Sequence, residues 1–156
     1  MSKSLKRVIA ALEAAGLAVD VLEMDAETRT AEQAATAAGC ALDQIVKSIL
    51  LHGADSGRLY LFLTAGGNRV DVARASGLVG DSLVKADAAQ VRAQTGFAIG
   101  GVAPVGLLTA VETFMDPRLR AFERVWAAGG TPRHVFATEP GDLARISGAR
   151  LADFTV

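Results

Sequence analysis

The most informative pattern along the chain is Gln44-Ile45-Val46-Lys47-Ser48-Ile49-Leu50-Leu51. Apolar side chains fall on both alternating faces of this run, the mark of a strand buried on its two sides. Alternation places Lys47 with Ile45, Ile49 and Leu51, and sets Val46, Ser48 and Leu50 opposite. A full charge inside such a run is costly unless it is paired or reaches water. Either the lysine stem lies along apolar surface with its head in solvent, or the head meets an anion that the fold is built to receive.

The remaining elements follow from the same patterning. Leu5, Val8, Ile9 and Leu12 recur at helical spacing and predict an amphipathic helix from near Ser4 to a stop at Gly16. Ala18 to Met24 alternates as a strand. Thr30-Ala31-Glu32-Gln33 is a capping box that opens an Ala-rich helix ending at Gly39. After the Lys47 strand, Ala54-Asp55-Ser56-Gly57 turns the chain into a second strand, Arg58 to Thr64, giving an antiparallel hairpin. Gly66-Gly67-Asn68 is a turn. Asp71 to Ser76 reads as a short helix closed by Gly77, and Ala86 to Thr95 as another closed by Gly96. The glycine-rich, uncharged run Phe97 to Gly106 reads as a strand entering a loop. Strands are expected at Val111 to Met115, Glu123 to Ala127 and His134 to Thr138, the last two joined by Gly129-Gly130-Thr131-Pro132. Asp116-Pro117 opens a helical turn, Pro140 starts a final helix to Ser147, and Asp153 to Val156 supplies an edge strand. This irregular interleaving departs from the strict rhythm of a doubly wound sheet. The expected fold is α+β: a mixed, partly closed, barrel-like β-sheet surrounded by short helices, in a single domain over residues 1–156.

Composition narrows the functional classes. The chain of 156 residues is 51% hydrophobic, enough for a real core and too apolar for disorder. A net charge of −1 supplies no global field for binding long nucleic acids, so DNA is not an expected partner and any nucleic acid must meet a local patch. Cys40 is the one cysteine, which excludes an intramolecular disulfide and a multi-cysteine metal site. It follows Gly39 at a helix end and reads as a small core residue. Lys3, Lys6 and Arg7 precede an apolar stretch, but Glu13 interrupts it, and no run approaches the ~18 apolar residues of a membrane span. A cytoplasmic protein with no membrane partner is expected.

Chemistry-bearing side chains are few. Lys47-Ser48 lacks the glycines of a phosphate-binding loop, and the glycine-rich run lacks a lysine. His52 and His134 stand apart from any HExxH pattern, so neither a metal nor another cofactor is expected. No serine sits in a nucleophile elbow. Gly100 to Gly106 remains. Its paired glycines allow a backbone to approach a ligand closely and aim N–H groups at it, with Pro104 fixing the loop; the alternative is a tight turn or bulge in a curved sheet. Gly129-Gly130 has the same two readings.

Together these segments resemble the YbaK/prolyl-tRNA-synthetase-associated editing domain family. The resemblance rests on the strand lysine, Thr95-Gly96-Phe97, Gly100-Gly101-Val102-Ala103-Pro104-Val105-Gly106, and Trp126-Ala127-Ala128-Gly129-Gly130 before a strand and a Pro-led helix. Arg29-Thr30-Ala31-Glu32-Gln33-Ala34 and Gly67-Asn68-Arg69-Val70-Asp71 add to it. It spans nearly the whole chain, in order.

The resemblance implies a free-standing aminoacyl-tRNA deacylase acting on mischarged tRNA, most often tRNA(Pro), with the acceptor end as partner and a synthetase as a further one. It implies that Lys47 holds the 3′-terminal phosphate and that the Gly100 to Pro104 loop contacts the aminoacyl carbonyl, with Gly100 and Gly101 in the reacting centre. Water would then be positioned largely by backbone and by a ribose hydroxyl of the substrate, in keeping with the scarcity of catalytic side chains. Thr30, Val102, Ala128 and Phe97 are expected to line an aminoacyl pocket for a small side chain such as alanine, serine or 2-aminobutyrate. Ser48, Asn68, Arg69, Ala103, Pro104, Gly129 and Gly130 complete the expected substrate-binding set. Asn68 and Arg69 have a polar turn as the alternative. Arg133 and His134 are a basic rim or ordinary hairpin charges, while Arg118, Arg120 and Arg124 read as a solvated face. Many relatives carry Ser where this chain has Ala128, so their amino-acid preference does not transfer. The competing reading is a non-catalytic module of the same fold that docks on tRNA or a synthetase; retention of Lys47 with Gly100, Gly101 and Pro104 favours the enzyme.

Overall fold

A computed structural model describes residues 2–28 and 30–156. Met1 and Arg29, the latter part of a motif above, lie outside the described residues. In chain order the elements are α1 (Lys3–Ala14), β1 (Val21–Glu23), α2 (Ala31–Ala38), a 3-10 turn (Leu42–Gln44), β2 (Val46–Gly53) and β3 (Leu59–Ala65). These are followed by α3 (Val72–Val79), β4 (Leu83–Lys85), α4 (Ala88–Thr95), β5 (Glu112–Met115) and a second 3-10 stretch (Pro117–Ala121). Last come β6 (Val125–Ala128), β7 (His134–Thr138), α5 (Pro140–Ser147) and β8 (Arg150–Leu151).

The strands form two sheets, ordered β4-β2-β3-β5-β8 and β1-β7-β6. In the larger sheet β2 and β3 are antiparallel, with Lys47 opposite Thr64, and β3 and β5 are parallel. The long connection between those parallel strands carries α3, β4, α4 and the glycine-rich loop. The sheets touch where Ile45 bridges Trp126. This is the mixed α+β arrangement that the patterning predicts, with the strands divided between two sheets that do not close into a barrel.

β3 organises the core because every one of its residues is buried. Leu59, Leu61, Leu63 and Ala65 face the main cluster, with Val8 and Leu12 of α1, Val91 of α4, Phe136 and Leu143. Tyr60 and Phe62 face a second cluster, where the Phe62 ring stacks on Phe114 at 5.3 Å and meets Phe154 edge-on at 5.0 Å. Each such buried side chain contributes about 1.5–3 kcal/mol relative to exposure. β2 obeys the expected alternation: Val46 and Leu50 pack on the main cluster, Ile49 and Leu51 on the second.

Helix ends match their local chemistry. Thr30 Oγ1 accepts from the Gln33 N–H at 3.1 Å, and Gly39 closes α2 in the left-handed region. Several boundaries differ from the sequence expectation. α3 runs through Gly77 to Val79, and the left-handed cap is Gly80, whose N–H donates to the Ser76 carbonyl. β1 is shorter than Ala18 to Met24: the register with β7 runs from Val21 to Glu23, with one further bond from the Ala137 N–H to the Asp20 carbonyl at 3.0 Å. β4 is unanticipated; three residues at a sheet edge give no readable alternation. No strand forms at Phe97, where side-chain contacts rather than a ladder fix the backbone. The terminal edge strand is Arg150–Leu151, with Thr155 bridging Val70 instead of extending it.

Candidate functional site

Two local features create a cleft beside Lys47. The first is an incompletely covered strand: β3 pairs with β2 from Val46 to His52, whereas β4 covers the other edge only from Leu51 onward. In an antiparallel pair, alternate backbone groups point away from the partner, and the stretch Lys47 to Ile49, beyond the Ile45–Trp126 bridge and short of β4, lines the cleft along this edge. The second is the turn between β6 and β7, which folds over toward α2. The Thr28 N–H donates to the Pro132 carbonyl at 3.1 Å and the Met24 N–H to the Arg133 carbonyl at 2.7 Å. The result is a cleft of about 270 Å³, walled by α2 (Thr30), β2 (Lys47, Ser48), the glycine-rich loop (Gly100, Val102) and β6 (Trp126, Ala128).

Lys47 is half-buried and aimed by a hydrogen bond: its Nζ donates to the Asn68 carbonyl at 2.5 Å. Burial lowers its pKa below that of an exposed lysine; Glu32, Asp116 and Asp43 oppose the shift, and Arg69 adds to it. Asn68 is itself held, its side-chain amide donating to Asp116 Oδ2 at 2.9 Å. Ser48 Oγ is buried and has no hydrogen-bond partner among the described residues.

Six of the residues singled out in the sequence converge on this cleft: Thr30, Lys47, Ser48, Gly100, Val102 and Ala128. Gly100 is exposed with φ +96°, a conformation glycine adopts without strain. The others stand behind the cleft or beside it. Gly101 is buried and donates its N–H to the Ala98 carbonyl at 3.1 Å, and a Cβ there would meet the Thr131 backbone at 2.9 Å. Ala103 and Pro104, within the loop, are buried. Phe97, expected in the aminoacyl pocket, is instead fully buried in the main cluster with the Arg7 guanidinium 4.3 Å above its ring. Gly129 and Gly130 are packing glycines: a Cβ would meet His134 at 3.1 Å in the first case and the Ser4 carbonyl oxygen at 2.9 Å in the second. Arg69 is exposed at the edge of the Lys47 environment.

The basic residues divide similarly. Arg118 pairs with Asp43 at 2.9 Å and lies over Phe122; Arg124 pairs with Asp20 and lies over Trp126. His134 shares a hydrogen bond with Thr131 Oγ1 through Nδ1 at 2.6 Å. The half-buried Cys40 packs on the small cluster around Ala34, Ala35 and Ile45, and burial raises its thiol pKa. Thr28, Thr131 and Trp126 line the cleft without having been singled out for it. Only the approach of distant turns reveals them. Asp116 was legible as a helix opener, and it does accept from the Arg118 N–H at 2.9 Å, but its reach to Asn68 was not.

Among the described residues, the cleft thus brings together a strand edge, the hydrogen-bonded Lys47 and the glycine-rich loop. Residues 25–146 match the model of the aminoacyl-tRNA editing domain, and the chain belongs to that family. It is 31% identical over 128 residues to the uncharacterised protein YwhH of Bacillus subtilis (strain 168), covering 82% of this chain and 81% of that one. Among solved structures, a candidate trans-editing enzyme for prolyl-tRNA synthetase is 46% identical, with a TM-score of 0.93 over 100% of this chain and 99% of that one. The hypothetical protein APE2540 is 29% identical, with a TM-score of 0.87 over 96% and 99%. Among the described residues no helix is long and apolar enough to cross a membrane.

Proposed function

We propose that residues 1–156 act as one editing domain, a trans-acting deacylase that hydrolyses the ester bond of mischarged tRNA, with tRNA(Pro) carrying a small amino acid as substrate. The observation that carries this reading is that Lys47 and Gly100 line one cleft in a chain of the editing family. The 46% identity to a candidate trans-editing enzyme for prolyl-tRNA synthetase supports the choice of tRNA.

In this mechanism Lys47 binds the 3′-terminal phosphate as a point charge, placing the acceptor end across the mouth of the cleft. The aminoacyl group enters the space beside Thr30, Val102 and Ala128. Water attacks the ester carbonyl carbon, and the carbonyl oxygen becomes an oxyanion facing the loop at Gly100 and Val102, the two loop residues that line the cleft. A backbone N–H aimed at such an oxyanion is worth about 3–4 kcal/mol. The carbon–oxygen bond to the ribose then breaks. A proton from the attacking water reaches the departing ribose oxygen, through the neighbouring ribose hydroxyl, leaving free amino acid and uncharged tRNA.

The test is hydrolysis of tRNAs charged with Ala, Ser, Thr, Cys, 2-aminobutyrate and Pro, with Lys47→Ala measured beside the wild type. Release from one or two mischarged species, reduced by on the order of 10² in Lys47→Ala, supports the reading. Retained tRNA binding without release from any species replaces it with a non-catalytic docking module.

A further inference from the structure

We propose that Asp116 is a positioning residue for Lys47, acting through Asn68; this deepens the deacylase reading and rests on it. Asp116 is 2% exposed, an unusual place for a carboxylate, and its oxygens are fully engaged. Oδ1 accepts from the Arg118 N–H at 2.9 Å, while Oδ2 accepts from the Ala65 N–H at 3.1 Å and from the Asn68 side-chain amide at 2.9 Å. Its own N–H donates to the Leu63 carbonyl at 2.9 Å. One buried anion therefore ties the end of β3 to the turn that follows it.

That turn delivers the acceptor for Lys47. The Asn68 N–H donates to the Ala65 carbonyl at 2.9 Å, closing the turn, and the Asn68 carbonyl takes the lysine Nζ at 2.5 Å. Asn68 is thus held at its side chain by Asp116 and at its N–H by Ala65, and its carbonyl accepts from Lys47. An ammonium on a four-carbon stem is a poor positioning device by itself, since it carries about 2 kcal/mol of rotamer entropy. Occupying one of its three donors with a fixed carbonyl leaves the remaining two directed at a phosphate. Burial lowers the lysine pKa overall; against it Glu32 on α2, then Asp116 and Asp43, favour the charged form, while Arg69 adds to the lowering.

A helix-capping role for Asp116 alone would affect stability without regard to Lys47, and this difference makes the proposal testable. The assay is deacylation of alanyl-tRNA(Pro), or of the panel member above that the wild type hydrolyses fastest, by wild type, Asn68→Ala, Asp116→Asn and Lys47→Ala. The double variant Asn68→Ala/Lys47→Ala completes a cycle. Asn68→Ala is expected to lower kcat/KM about tenfold, since a displaced binding group costs rate. It should lower the melting temperature as well, because the buried Asp116 Oδ2 loses a donor; the Lys47→Ala background separates the two effects. In the Lys47→Ala background the same substitution should change kcat/KM by less than about twofold. Asp116→Asn should follow Asn68→Ala; if it does not fold, the Asn68→Ala cycle decides alone, because Asn68 is half-exposed. An equal loss in both backgrounds, or full activity in Asn68→Ala, overturns the positioning role and leaves the deacylase reading standing. Absence of release from the whole panel by the wild type removes both.

Discussion

The ammonium of Lys47 meets the carbonyl of Asn68 at 2.5 Å across 21 residues of sequence. A lysine in the middle of a two-sided apolar strand thereby gains one fixed acceptor within the protein while its head stays at the edge of a cleft. Stability and activity pull in opposite directions at such a residue, and the pull can be measured.

Because burial lowers the Lys47 pKa, the unfolded chain binds this proton more tightly than the folded one. The resulting cost to stability is fully present below the folded pKa. It shrinks as pH rises through that value and is gone above the ordinary lysine range. Lys47→Met, which keeps an unbranched stem, should therefore melt at or above the wild-type temperature at neutral pH, and the gap should close in alkaline solution. Calorimetry across that range checks it. A variant melting well below wild type at neutral pH would mean that the ammonium contributes net stability.

Arg7 fastens both ends of the glycine-rich loop. Its Nε donates to the Gly106 carbonyl at 2.6 Å and its Nη2 to the Thr95 carbonyl at 3.3 Å, while the guanidinium lies over Phe97. Hydrogen bonds to a charged group contribute about 1.5–3 kcal/mol, so Arg7→Ala should lower the melting temperature and speed amide exchange across residues 97–106. Arg7→Lys should recover only part, since a single ammonium cannot span both carbonyls and cover the ring. Unchanged exchange in Arg7→Ala would sink the idea that α1 braces the loop.

Adjacent glycines should respond differently. A Cβ on Gly101 would lie 2.9–3.1 Å from three backbone atoms of Thr131, so Gly101→Ala must push the β6–β7 turn and cost about 1–3 kcal/mol. Gly100 has open space around its Cα, and Gly100→Ala carries only the strain of φ +96°. Urea unfolding gives the stabilities. Amide shifts at Thr131 are expected for Gly101→Ala and not for Gly100→Ala; shifts in both would contradict the packing role.

Asp43 accepts from Arg118 Nε at 2.9 Å and from the Gly67 N–H at 2.8 Å, and the Arg118 side chain above all holds its carboxyl below the usual aspartate range. A depressed folded pKa contributes stability above the unfolded pKa and loses it as pH falls through the folded one. Wild type should therefore out-melt Asp43→Asn at neutral pH, with the difference vanishing in acid. The pair is partly solvated, so the effect is expected to be small and salt-sensitive. Equal melting of the two proteins at neutral pH and low salt would refute it.

What the sequence determined by itself is everything that depends on near neighbours. Alternation assigned Lys47 its face, Thr30 and Gly39 bounded α2, and the turn residues placed both hairpins, because capping, φ preference and side-chain period act within a few positions. The motif resemblance reached the family by the same local route, through Lys47, Gly100 to Gly106 and Gly129-Gly130. Tertiary structure decided which of those residues share a space. Gly100 and Val102 line the cleft while Phe97 and Ala103 do not, although Val102 shares their buried cluster and all four lie within one short run, since their directions are set by Arg7, Thr131 and the main core. The same holds for Asp116: its capping of the next turn was local and readable, whereas its grip on Asn68 and the Asn68 grip on Lys47 depend on β2, β3 and β5 lying side by side. Strand pairing over such separations is fixed by the collective burial of β3, which no window of sequence contains.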